Sequence, residues 1–417
     1  MKPAAALAVA GNLEPRAGVG GFVRKFAVAA AFAMLVALPA ASAKGPQPVL
    51  GIDGSSTTSA RLAWFDPSSL AKLPGRKVPL AGHTWPWAFS PDRSRLAIAG
   101  QENSKQIRFV NARTMRVLGQ VPLRYAGEVQ DLTWVRPDRV LAYVQGYFDG
   151  TIVVVNAATR RIERTTSLSD RAAYGAGRFA GGLALLLGKY EGFSPAAVGV
   201  IDADGAVRTV TLDRISVGSS QIGTESRFET RRPGFAVDPA GRRAFVVDAD
   251  FTVAEVDLDT LAVTYHSPSS RSLAKAVNGP SRAARWLGNG VLAVSGVDYS
   301  GDESGTAVGL RLIDTNTWAR RLVDPNIAFF DVGDGILVGT GPWQDAPRHY
   351  DVYGFDGRFR YGVDVERLQS LSVLGGYAYL CTASGSALRV LEGSTGSTLT
   401  AMQRSVCPTL LYGPSSS

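Results

Sequence analysis

Residues 85–123 read WPWAFSPDRSRLAIAGQENSKQIRFVNARTMRVLGQVPL, and the order of short strands and turns in that stretch decides the fold. Trp87-Ala-Phe-Ser90 is a short strand, and Pro91-Asp-Arg-Ser94 is a turn in which proline fixes φ and Asp92 bonds to nearby backbone. Arg95-Leu-Ala-Ile-Ala99 is mostly apolar, as expected of a strand covered on both faces. After the polar loop Gln101–Lys105, Ile107–Asn111 alternates in character and Asn111-Ala-Arg-Thr114 turns the chain. Arg116–Val121 is more polar, which suits an outer edge where charge discourages pairing with other chains.

The turn after the third strand recurs along the chain. Its copies are Asp66-Pro-Ser-Ser, Asn111-Ala-Arg-Thr, Asn156-Ala-Ala-Thr, Asp202-Ala-Asp-Gly, Asp257-Leu-Asp-Thr, Asp314-Thr-Asn-Thr, the degenerate Gly354-Phe-Asp-Gly and Glu392-Gly-Ser-Thr. They lie roughly 40 to 55 residues apart, the period of a repeat built from one supersecondary unit. The strand order recurs with them, clearly around 132–165, 234–265 and 284–323, more weakly around 174–212, 327–365 and 370–403. No segment carries a long helical period. Four short strands per repeat predict an all-β fold, a single β-propeller.

The ends bear on closure. Residues 49–80 supply three strands, around Val49–Ile52, Arg61–Phe65 and Arg76–Pro79, and Pro408–Tyr412 offers the missing inner strand. Pairing the two termini leaves no open sheet edge. Eight blades follow, or seven if one weak unit is not a full blade. The expected domains are a leader at 1–43, a short linker at 44–48, the propeller at 49–412 and a disordered tail at 413–417.

Gly82-His83, Ala88-Phe-Ser-Pro-Asp92 and Leu96-Ala-Ile-Ala99 resemble the WD40 and bacterial YVTN-type propeller repeats. The likeness is to a generic exported form, because one Gly-His pair is present and no third strand ends in Trp-Asp. It implies a structural hydrogen-bonding role for His83.

Arg24-Lys25, the apolar run Phe26–Leu38 and Ala41-Ser-Ala43 have the order of a secretory signal, which predicts a secreted, periplasmic or cell-envelope protein. A retained anchor is the alternative. Without the leader the chain holds 40 basic and 35 acidic residues, a net charge of +5. The Arg–Arg pairs are scattered rather than gathered into a groove, so nucleic acid is not an expected partner. A monomer without a membrane span after signal cleavage is expected. Cys381 and Cys407, the two cysteines, could form one disulfide that fastens the closure, or stay as buried thiols.

Little in the chain resembles a catalytic constellation. There are three histidines, no Gly-x-Ser-x-Gly elbow and no Cys-x-x-Cys pair. The loops between second and third strands share one face of the ring with the links between blades, and they combine aromatic and acidic residues. They include Tyr147-Phe148-Asp149, Tyr190-Glu191, Asp250-Phe251, Tyr299, and Trp343 with Asp345. Flat rings beside carboxylates suit a protein, peptide or cell-surface glycan, although exposed turns also collect such residues for structural reasons. Asp298-x-Ser300-x-Asp302 places oxygens at alternate positions, as a calcium ligand loop would. No other cofactor is expected. The resulting expectation is a non-enzymatic binding propeller, with a propeller enzyme of lactonase, lyase or dehydrogenase type using the central channel as the alternative.

Overall fold

The computed structural model describes residues 48–54, 60–80, 84–100, 106–124, 127–146, 149–222, 227–267, 279–299, 305–333, 335–342, 348–365, 368–374, 376–382, 388–402 and 409–411. Their strands form eight antiparallel sheets, the blades of a β-propeller. Blade 1 holds Val49–Asp53, Arg61–Phe65 and Val78–Pro79, and its innermost strand is Thr409–Leu411 from the other end of the ring. Blades 2 to 8 follow in chain order over 84–122, 128–167, 171–231, 234–266, 280–324, 329–365 and 368–402. The register Leu50↔Leu411, Gly51↔Leu410 and Ile52↔Thr409 closes the ring. Eight blades and closure by both ends are thus as the sequence reading has them.

Each pair of neighbouring blades encloses its own apolar core, so there are eight seams rather than one central core. The apolar runs explain this: successive side chains on a strand point to opposite faces, and each face meets a different neighbour. Leu410 belongs to the seam between blades 8 and 1, whereas Leu411 belongs to that between blades 1 and 2. Polar ties cross the seams as well. Trp134 Nε1 donates to the Ala88 carbonyl at 3.0 Å, and Tyr379 Oη donates to the Pro67 carbonyl at 2.8 Å across the closing seam.

The recurrent turns share a local geometry. Asn111 Oδ1 accepts from the amides of Arg113 and Thr114 at 3.1 and 2.8 Å, and Asn156 Oδ1 from Ala158 and Thr159 at 2.9 Å each. Asp66, Asp257 and Asp314 repeat the pattern. The residue four places on then donates its amide to the carbonyl of the first, as Met115 does to Asn111 and Trp318 to Asp314. That residue is left-handed, with φ 50 at Leu70, 54 at Met115, 58 at Arg160, 62 at Leu261 and 60 at Trp318. The paired residues, such as Asn111 and Arg116, thus enclose a four-residue loop ending in a left-handed residue, one of the common hairpin connections.

Blade 4 extends beyond four strands. Val207–Ile222 is one strand of 16 residues whose far half pairs with Arg227–Arg231, giving blade 4 a fifth strand. Ile215 and Val217 are buried at alternate positions, the period of a strand. Similarly, Val291–Tyr299 pairs with Gly305–Ala307 as a hairpin on blade 6. Most of the link after His266 lies outside the described residues, as does His83.

Candidate functional site

Strand alternation puts the loops between second and third strands, together with the links between blades, on one face of the ring. A cleft of about 740 Å³ opens on that face between blades 6 and 7. Gly305, Thr306 and Ala307 of the blade 6 hairpin form one side, and the link Pro325–Ile327 lies beside them. Thr340, Gly341 and Pro342 face them from blade 7, with His349 and Asp351.

His349, Asp351 and Tyr353 stand at alternate positions of Arg348–Gly354, so they share the strand face turned towards blade 6. The row is graded. Tyr353 is buried in the seam, where its hydroxyl donates to Asp324 Oδ2 at 2.5 Å. Asp351 is partly covered, and the His349 side chain is 55% exposed. His349 Nδ1 lies 2.7 Å from Asp364 Oδ1, its cross-strand partner, and Nε2 lies 3.0 Å from Asp351 Oδ1. Only the doubly protonated ring donates from both nitrogens. The Asp364 hydrogen bond, with the charge of Asp351, accordingly raises the His349 pKa against the effect of burial. Asp351 is also raised, because burial of its carboxyl and the nearby Asp324 outweigh the imidazole. Both shifts are consistent: the histidine gains two acids, while the acid sits deeper than the histidine.

The residues expected from sequence are spread over the loops of consecutive blades. Asp149 and Glu191 are exposed, and Tyr190 is 37% exposed. Asp250 Oδ1 accepts from the Thr252 amide at 2.8 Å and so serves its own turn. Phe251 has φ 64, an uncommon conformation for a bulky residue. Tyr299 pairs with Gly305 at the cleft margin. Asp298 lies 2.7 Å from Arg282 Nη1, so this acid of the calcium pattern faces a guanidinium. Tyr147, Phe148, Ser300, Asp302, Trp343, Asp345 and Cys407 lie outside the described residues. Cys381 is buried and carries no free thiol. No group of three His, Cys, Asp or Glu side chains suited to a metal ion occurs among the described residues.

The structure brings together Phe251 of blade 5 and Asp298 of blade 6, which meet at Arg282. The sequence reading left out His349, Asp351, Thr306 and Thr340. The pattern His349-x-Asp351-x-Tyr353 was a usable signal, since period two places all three on one strand face. At the ring axis, Arg178 Nη2 donates to the Trp87 carbonyl and to Asp131 Oδ1, both at 3.1 Å. That tie joins the inner strands of blades 2, 3 and 4, and burial raises the Asp131 pKa. It pairs a cation with an acid across three inner strands.

No protein-family model matches the chain, and no curated protein matches it in sequence. Solved structures do resemble it. Dihydro-heme d1 dehydrogenase NirN, in complex with DHE, superposes with a TM-score of 0.60 at 12% identity, over 88% of this chain and 75% of that one. BamB from Moraxella catarrhalis gives 0.50 at 10% identity, over 76% and 87%. The computationally designed Ika8 protein gives 0.50 at 12%, over 87% and 97%. At these identities the likeness is one of fold: the chain is an eight-bladed β-propeller.

Proposed function

We propose that this chain is an exported, non-enzymatic propeller of WD40/YVTN-like type that binds a protein, peptide or glycan in the cleft between blades 6 and 7. The observation that carries this reading is the cleft itself. Its volume of about 740 Å³ falls in the range of ligand sites. Pro325, Ile327 and Pro342 give it apolar wall, and Thr306, Thr340, His349 and Asp351 give it hydrogen-bonding edge. His349 at its heart is not placed as a general base. A general base needs a free lone pair, and both His349 nitrogens face carboxylates. The leader at 1–43 supports export, and its removal would leave the ring as a monomer outside the cytoplasm.

The test is a thermal-shift screen of the full chain against peptides and oligosaccharides, repeated with Asp351→Asn and Thr340→Val. A ligand at 100 times its Kd stabilises by about 2.7 kcal/mol. The expected result is a saturable rise in Tm that both cleft variants weaken. A ligand response that survives both variants and disappears with Asp131→Asn would move the site to the channel and favour the enzyme alternative.

A further inference from the structure

The seam between blades 5 and 6 gathers three guanidinium groups on one side. Arg282 lies on the inner strand Pro280–Gly288, Arg311 on Leu310–Asp314 and Arg320 on Arg320–Asp324. All three project from the face of blade 6 that packs on blade 5. Arg282 alternates in step with Ala284 and Trp286, Arg311 is two places from Ile313, and Arg320 is the cross-strand partner of Ile313. Ala284, Trp286 and Ile313 belong to the core shared with blade 5. From blade 5, the Phe251 ring lies 4.3 Å from the Arg311 guanidinium carbon and 5.2 Å from that of Arg282.

The neutralisation of this cluster is incomplete. Arg282, with its side chain 2% exposed, has Asp298 beside it and donates to the Ala249 carbonyl at 2.6 Å. Its buried Nε has no hydrogen-bond partner, and Asp298 Oδ1, although 2.7 Å from Nη1, is also without a well-directed hydrogen bond. Arg320 donates through Nη2 to the His266 carbonyl at 2.9 Å, while its buried Nη1 has no partner. Arg311 meets the carbonyls of Val308 and Gly309 rather than a carboxylate. Burial and repulsion from Arg282 and Arg320 lower its proton affinity. Asp248 and Asp250 stand across the seam: Asp250 accepts from the Thr252 amide and its charge supports Arg320, while burial raises the Asp248 pKa, and neither acid is hydrogen-bonded to the unpartnered N–H groups. Buried N–H groups in native proteins find a protein, water or ion partner, and like charges in a poorly solvated seam attract a counterion.

We propose that this seam is a binding site for a small oxyanion of the phosphate or sulfate class, held by Arg282, Arg311 and Arg320. A tetrahedral oxyanion offers several acceptors to guanidinium forks and removes the repulsion among them. The site is separate from the cleft between blades 6 and 7 and does not depend on that reading.

The experiment measures Tm of the full chain in sodium phosphate, in sodium sulfate and in sodium chloride at matched ionic strength and pH 7.5. The wild-type chain should gain about 2 °C or more in phosphate or sulfate, with saturation, and not in chloride. Arg311→Met should leave the Tm in oxyanion-free buffer unchanged or higher, because it removes a repelled cation, and should abolish the oxyanion response. Arg320→Met should weaken that response. Calorimetric titration of wild-type protein with inorganic phosphate should give one site. The proposal is overturned if chloride acts as well as phosphate, if both variants keep the response, or if titration shows no binding. Should Arg311→Met not fold, Arg320→Met and the titration decide.

Discussion

His349 couples the cleft margin to pH. Its folded pKa is raised above the ordinary histidine value by Asp364 and Asp351. The resulting stabilisation is complete below the unfolded pKa of about 6.5 and is lost as pH rises through the folded value. Asp351 acts in the same direction, since an acid with a raised pKa favours the fold more as pH falls through that value. The turn acids act oppositely. Hydrogen bonds from Ser90 and Ser94 hold Asp92 down at about 2, and those to Asp66, from Ser68 first, lower it too. Their contribution is present above about 3.9 and is lost as pH falls through the folded values. Wild-type Tm should therefore fall between pH 6 and pH 8.5, and His349→Gln should flatten that fall. An unchanged slope in the variant would show that the histidine clasp does not contribute to stability.

Among the elements, the turn between third and fourth strands is the most uniform. Its Asn or Asp replaces a backbone acceptor for two amides, and the next strand starts from a left-handed residue. Asn156→Ala removes both amide bonds and the contact of Nδ2 with Glu163 at 2.8 Å. It should lower stability by about 1–2 kcal/mol, whereas Asn111→Asp, which keeps both amide bonds at the equivalent turn, should lose less. Urea midpoints at constant m-value would check this. These turns were legible in the sequence because their chemistry is local, confined to five consecutive residues. The strand order was legible for a similar reason. The arginine cluster was not, because it depends on which strand faces look into one seam, and that follows from register. His349-x-Asp351 was readable as one face, but Asp364 joins it only through the cross-strand pairing. The hairpin extending blade 4 was missed because Gly218 and the serines around it read as loop.

For the whole molecule, closure rests on a short piece of chain. Thr409–Leu411 supplies the inner strand of blade 1, and its two leucines serve different seams. Leu411 is fully buried, so Leu411→Ala should cost about 2–4 kcal/mol. Cys381 lines one of these seams, and we expect its bridge to run to Cys407. Reduction should then lower the melting temperature of wild-type protein more than that of Leu411→Ala, since both changes loosen the same closure. Equal effects in the two backgrounds would separate the bridge from the closing strand.

Closure by the final strand also has a consequence in time. A ribosome delivers Val49–Asp53 early, yet the neighbour that this strand needs emerges after every other blade. Until then Leu50 and Ile52 lack that inner cover, and a truncated product retains an unpaired edge open to aggregation or to chaperones. Only a chain extended through Leu411 can cover the inner edge of its first blade.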